Sequence, residues 1–256
     1  MDYVSSNPST HTSSSSAASS SSSSSIPASV SSAAASIQSV SSAHSTATSL
    51  SSLSAAHIQP TQFRQVSAQE FHAAIVAGKK SGYTPGTEND RNSKWNGQMV
   101  HVYSVDEYNG MQLFLLPDKS AGFAIKNGNE IVSVFKNIEI YTLKESMLSI
   151  AIPEAIRNGG KRLDCFEPLL PTLYGRFGFR PVAKTKFDPK FAPEGWNYPR
   201  DKYQDIIFMI YDPTLESITK PDAVTARYQA QLACISYVSY DEGVAAQLAA
   251  LKTDSA

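Results

Sequence analysis

Twenty-six of the first 56 residues are serine, and Asp2 is the only charged side chain among them, so the material for a core lies downstream. A Ser/Ala tract with almost no aromatic residues cannot bury enough surface to offset the entropy lost on ordering. Residues 1–56 are therefore expected to be a disordered leader, with a composition that suits a linker, a modification target or the unstructured leader of an injected effector. The chain beyond them carries both tryptophans and both cysteines, and it is long enough for one domain with its own core.

Twenty-two basic and 23 acidic residues leave a net charge of -1. That balance argues against binding nucleic acid through phosphate neutralisation. The sequence has no run of about 18 consecutive apolar residues and no basic and apolar signal regions, so neither a membrane partner nor secretory export is expected. A cytoplasmic protein is expected, or alternatively an effector acting inside a host cell after injection. Cys165 and Cys234 have no CxxC spacing, and His11, His44, His57, His72 and His101 are scattered, so neither a disulfide framework nor a metal site is expected.

Order is expected from about residue 62. Ser67 and Glu70 form the pattern of a capping box, and Phe71, Ala74, Ile75 and Gly78 recur at helical spacing, predicting a helix over 67–79. Lys79-Lys80 reads as its solvated end. A polar loop over 81–97, a strand over 99–103 and a short helix opened by Ser104 and Glu107 follow. Gln112–Leu116, Ala121–Lys126 and Glu130–Lys136 are β-type runs separated by turn sequences, which predicts an antiparallel meander. Thr142 and Glu145 repeat the capping pattern, predicting a helix from there to Asn158-Gly159-Gly160, with Pro153 inside it. Beyond it come a strand at 162–166, a helix at 168–177 and strands at 179–187 and 205–211. Residues 214–256 read as a helical extension that could carry an oligomer contact or a protein partner. The order defines a mixed α/β (α+β) domain over 57–213, its sheet mostly antiparallel and flanked by helices.

Two segments in this order carry a resemblance. Leu163-Asp164-Cys165-Phe166, and Tyr174-Gly175-Arg176-Phe177-Gly178-Phe179 read as Tyr-x-x-x-Gly-Phe, are similar to the cofactor half of the GNAT superfamily of acetyl-CoA-dependent N-acetyltransferases. The resemblance extends upstream through Gly122-Phe123-Ala124 and Ile131–Phe135, and downstream to Tyr211. It implies acetyl transfer from acetyl-CoA to an amine of a protein or small molecule. It also implies a cofactor lying between the strand that ends Val134-Phe135-Lys136 and the strand bearing Asp164. Its pyrophosphate would sit at the helix opened by Thr142, with Lys144 and Arg176 in reach of phosphates. Tyr174 takes the place of the acid that protonates the sulfur, Glu130 that of a base acting through water, and Trp196 that of a substrate-cleft wall.

Each of these residues has a plainer reading. Tyr174 suits a core tyrosine, Asp164 a carboxylate on strand N–H groups, Glu130 a solvated turn residue, Arg176 a complement to a helix dipole, and Trp196 a lid over the core. The pyrophosphate loop also departs from the GNAT pattern. Lys136-Asn137-Ile138-Glu139-Ile140-Tyr141-Thr142 contains no glycine, and Glu139 brings a negative charge. Either Lys136, Lys144 and the helix end hold the cofactor, or the domain is a binding, effector or structural relative that has lost turnover.

Overall fold

A computed structural model of the chain describes residues 62–82, 100–193, 196, 198–215 and 220–253. The serine leader and nearly all of the 81–97 loop lie outside them. The strands are β1 Arg64–Gln65, β2 Gln112–Leu115, β3 Ala121–Lys126, β4 Glu130–Lys136, β5 Arg162–Phe166, β6 Phe179–Thr185 and β7 Ile206–Tyr211. The helices are α1 Ala68–Lys80, α2 Val105–Tyr108, α3 Met147–Arg157, α4 Leu169–Gly175, α5 Tyr198–Asp201, α6 Pro221–Cys234 and α7 Tyr240–Thr253. The strands form one sheet in the order β1-β2-β3-β4-β5-β7-β6. Neighbours are antiparallel throughout except for β4 and β5, which are parallel.

The meander follows from its turns. Between β3 and β4, Asn127 and Gly128 both adopt positive φ (53° and 75°), as the central residues of a type I′ turn do, and the Asn129 N–H closes the turn onto the Lys126 carbonyl (3.2 Å). Between β2 and β3, Lys119 also takes positive φ (61°), while Asp118 accepts hydrogen bonds from the backbone and hydroxyl of Ser120 (2.9 and 2.7 Å). α1 buries Phe71, Ala74, Ile75 and Gly78 as its spacing predicts. Gly78 lets the Phe135 ring approach so closely that a Cβ there would stand 2.6 Å from it.

Three expectations are corrected. The capping box of α1 is only half made: Ser67 accepts from the Glu70 N–H (3.3 Å), but the Glu70 carboxylate turns to Arg64 (2.5 Å) and Lys119 (3.1 Å) because two cations compete for it. Residues 100–103 form no strand; Val100 and Tyr103 are buried by packing without joining a ladder. The helix after β4 begins at Met147 with Ser146 as N-cap, so Thr142 and Lys144 lie in the preceding loop. The pairing that Thr142 and Glu145 suggest is displaced by a turn in which the Asn137 carbonyl accepts from the Tyr141 N–H (3.0 Å). Pro153 lies within α3 all the same.

Alternation along the strands assigns the two faces. Leu163, Cys165, Ile207 and Met209 point toward α4 and α6, with the Cys165 and Met209 sulfurs 3.8 Å apart. Arg162, Asp164 and Phe208 point the other way, where Tyr240 of α7 meets both Asp164 and the Phe208 ring. Registers Lys126↔Glu130 and Gly122↔Phe135 put Glu130 and Phe135 on that second face, and Phe135 packs on Phe71 of α1. α1 and α7 therefore share one layer, and α4 and α6 belong to the other. Residues 221–253, expected as an extension, are thus packed on the sheet. Gly243 sits directly on the Phe208 ring where any Cβ would clash, and Tyr237 of the α6–α7 connection donates to Asp205 (2.5 Å).

Candidate functional site

β4 and β5 form a ladder at a single position, Glu130↔Arg162. Beyond it β5 is paired along its length with β7, while β4 follows β3 through a bulge. Ala124 faces Val132 and Gly122 faces Phe135, so Ser133 and Val134 stand opposite Phe123 alone, and Ser133 takes positive φ (51°). A bulge bends its strand and increases its twist. The buried Tyr108 and Ser133 hydroxyls, 3.0 Å apart, hold the irregular residue from the α2 side, and burial pushes the Tyr108 phenol up to about 12. The ladder between β4 and β5 is thus not continued toward Lys136 and Phe166.

The β4–α3 loop follows the Lys136 end of β4, where the two strands are no longer laddered. Several of its backbone donors are already engaged: Ile138 N–H with Ser81 Oγ (3.0 Å), Glu139 N–H with Asn137 Oδ1 (3.1 Å) and Tyr141 N–H with the Asn137 carbonyl. The Glu139 carboxylate accepts from the Gly82 N–H (3.1 Å), which ties it to the end of α1. Lys136 carries its ammonium 5.3 Å from the Tyr141 ring centroid. Thr142 and Lys144 are exposed, and Ser146 caps α3 without a side-chain hydrogen bond. An α-helix start leaves N–H groups and a positive dipole end facing outward, a suitable seat for an anion.

The remaining expected residues separate by location. Val134 and Phe135 are buried, and the Phe135 ring packs edge-on against Phe71 of α1. Tyr174 is fully buried on the α4 face, its ring edge-on to Phe179 with centroids 6.3 Å apart. Arg176 is the exposed C-cap of α4, the position that complements a helix dipole. Trp196 packs on Phe166 and Phe187 (centroids 4.9 and 5.0 Å), and its Nε1 donates to the Lys202 carbonyl (3.0 Å), which makes it a cover for that end of the core.

Glu130 and Asp164 come together on the α1/α7 face in a buried polar cluster. Arg162 donates to Glu130 (2.5 Å), to Asn129 Oδ1 (3.0 Å) and to Gln247 Oε1 (3.1 Å). Gln247 Nε2 donates in turn to the carbonyls of Leu163 (2.7 Å) and Met209 (2.9 Å), fastening α7 to β5 and β7. Tyr240 donates to Asp164 Oδ2 at 2.6 Å. Burial, with the Glu130 charge second, pushes the Asp164 carboxyl up to about 7. Burial and the adjacent Asp164 charge raise the Tyr240 phenol as well, and burial holds the Cys165 thiol protonated.

Sequence reasoning missed Arg162, Tyr240 and Gln247 as members of this cluster. Arg162 had one signal, a cation at the start of a short strand that must be paired if buried. Tyr240 had another, since Ser239 and Glu242 form a capping pair that marks the start of α7. Gln247 had none. The sequence matches no protein-family model and no curated protein. Among the described residues, no group of His, Cys, Asp and Glu side chains could hold a metal ion, and no helix is long and apolar enough to cross a membrane.

Proposed function

We propose that this protein is a GNAT-type N-acetyltransferase that moves an acetyl group from acetyl-CoA to an amine of a protein or small molecule. The observation that carries the reading is the parallel β4–β5 pair, laddered only at Glu130↔Arg162 and followed by the Ser133 bulge, within a sheet that is otherwise antiparallel. A pantetheine arm is a thin, amide-bearing chain, and parallel strands laddered at one end alone would suit it as a temporary strand. The α3 N-terminus, with Lys136 and Lys144 near it, supplies positive potential for the pyrophosphate. Glu139, bound to Gly82, is turned to a partner of its own. Thr142 is a loop residue in this arrangement and contributes only backbone.

Tyr174 is the proposed acid. Its phenol would protonate the departing thiolate, while the ring packs against Phe179. A second reading, a relative that keeps the fold without turnover, is favoured by the glycine-free loop and by its internally bonded donors at Ile138, Glu139 and Tyr141. Acetyl transfer to a panel of amines separates the two. In the first reading Tyr174→Phe keeps its fold and acetyl-CoA affinity but loses about 10²- to 10⁴-fold in rate. An unaltered rate removes Tyr174 from the mechanism, and absence of transfer by the wild type favours the second reading.

A further inference from the structure

We propose that the Tyr108 hydroxyl is a positioning group for the cofactor site, acting through Ser133 to fix the shape of β4 where acetyl-CoA would pair with it. The inference rests on the acetyl-transfer reading above and adds to it a residue of α2 that no motif includes. Tyr108 and Ser133 are both fully buried, and their hydroxyl oxygens stand 3.0 Å apart. The phenol has a set position of its own. Its oxygen accepts from the Tyr103 N–H (3.4 Å), and its ring meets those of Phe71 and Tyr103 edge-on, with centroids 5.0 and 5.6 Å away.

Ser133 needs holding because its φ of 51° is one that glycine adopts freely and other residues only at a cost. Inside a strand such a residue persists where its surroundings over-determine it. One constraint is phase. Glu130 and Phe135 share a face although an odd number of positions separates them, which an unbroken strand forbids. The extra residue that changes the phase falls at Ser133–Val134, the two that stand opposite Phe123 alone. Phase therefore demands a bulge but does not choose the backbone conformation of either residue. The hydroxyl pair does choose. It ties the Ser133 side chain to α2, and Ser133 is the one of the two with positive φ.

The ladder between β4 and β5 has already ended at Glu130, so Ser133 and Val134 lie where β4 has no regular partner residue on β5 either. In the acetyl-transfer reading the pantetheine amides pair along this part of β4, and the Ser133 conformation decides how its two flanking peptide groups are presented to them. A chain that populates the competent conformation only in part binds its ligand with an affinity lowered by that fraction. The expected readout is therefore cofactor affinity. Tyr108 itself acts only through Ser133.

The test is calorimetric titration of acetyl-CoA into the full chain and its variants, with the thermal midpoint recorded for each. Tyr108→Phe keeps the ring and removes the hydroxyl, and it is expected to weaken binding about 10-fold, the size of one hydrogen bond expressed as affinity. Adding Ser133→Gly to that variant is expected to restore the affinity although the hydroxyl pair is still missing, because glycine takes positive φ unaided. Position 133 gives a second comparison that does not depend on the folding of Tyr108→Phe. Ser133→Ala and Ser133→Gly both cut the bond from the other side, and alanine should weaken binding where glycine does not. A pair with only a stabilising role lowers the thermal midpoint and leaves the affinity of the folded protein unchanged, and that result overturns the proposal. So does a loss of affinity that glycine fails to repair, or equal affinities in Ser133→Ala and Ser133→Gly. Each of these outcomes leaves wild-type binding, and the acetyl-transfer reading, untouched. Failure of the wild type to bind acetyl-CoA overturns both.

Discussion

At the scale of single residues, the informative group is a carboxylate that burial keeps from ionising easily. An unfolded aspartate titrates near 3.9, whereas Asp164 in the folded chain is raised to about 7. Between those values the folded state holds a proton that the unfolded state has released. Its contribution to stability is therefore full below about pH 4, falls as pH rises through 7, and is absent above. Asp164→Asn keeps an acceptor for the Tyr240 hydroxyl and removes the charge. Denaturant titrations should show the variant gaining stability over the wild type above pH 7, with the difference shrinking toward pH 4. Comparing the two proteins cancels the opposite trend expected of Glu70, Asp212 and Glu242, whose folded-state pKa values are lowered. A pH-independent difference would mean that Asp164 is not desolvated in solution.

At the scale of elements, the sequence disclosed most of the architecture, because hydrophobic alternation and turn chemistry act locally. Asn127-Gly128 fixed one hairpin and Pro117–Ser120 the other; the Ser104–Glu107 capping box is present as read. What escaped was tertiary competition. Glu70 has two cations to choose between, and the loop after β4 turns back on Asn137 instead of opening a helix at Thr142. The Ser133 bulge was not readable, since a serine with positive φ inside an apolar strand leaves no local mark. Nor was the docking of α7, whose polar Gln247 is buried only because two strand carbonyls accept from it. Of the expected site residues, the sequence put Tyr174 on the helix after β5 and Asp164 on β5 itself, and the structure has both there. The buried pairing of Glu130 with Arg162 was not legible, because it joins residues 32 apart in the chain.

The close seat of α7 can be tested at the same scale. Gly243→Leu forces a side chain into the Phe208 ring, an overpacking that costs about 1–3 kcal/mol where the helix cannot shift. Hydrogen exchange should then show lost protection in Tyr240–Thr253, with β2–β4 unaffected. Uniform protection in the variant would place α7 away from Phe208.

At the scale of the whole molecule, the sheet changes character at one seam. The β1–β4 side is closed by α1 and by the meander, the β5–β7 side by α4, α6 and α7, and the two are laddered through the Glu130↔Arg162 pair. Strand N–H and C=O groups beyond a ladder's end take other partners, and in the acetyl-transfer reading proposed above a pantetheine amide chain is one of them. The positive end of α3, Lys136 and Lys144 lie beside the seam. The measurement that tests this most directly is calorimetric titration of acetyl-CoA into the full chain, with Lys136→Glu/Lys144→Glu as its control. Saturable heat at one site per chain is expected, with affinity weakened in the charge-reversed variant and preserved in Tyr174→Phe. No heat and no change in the thermal midpoint at saturating acetyl-CoA would contradict it.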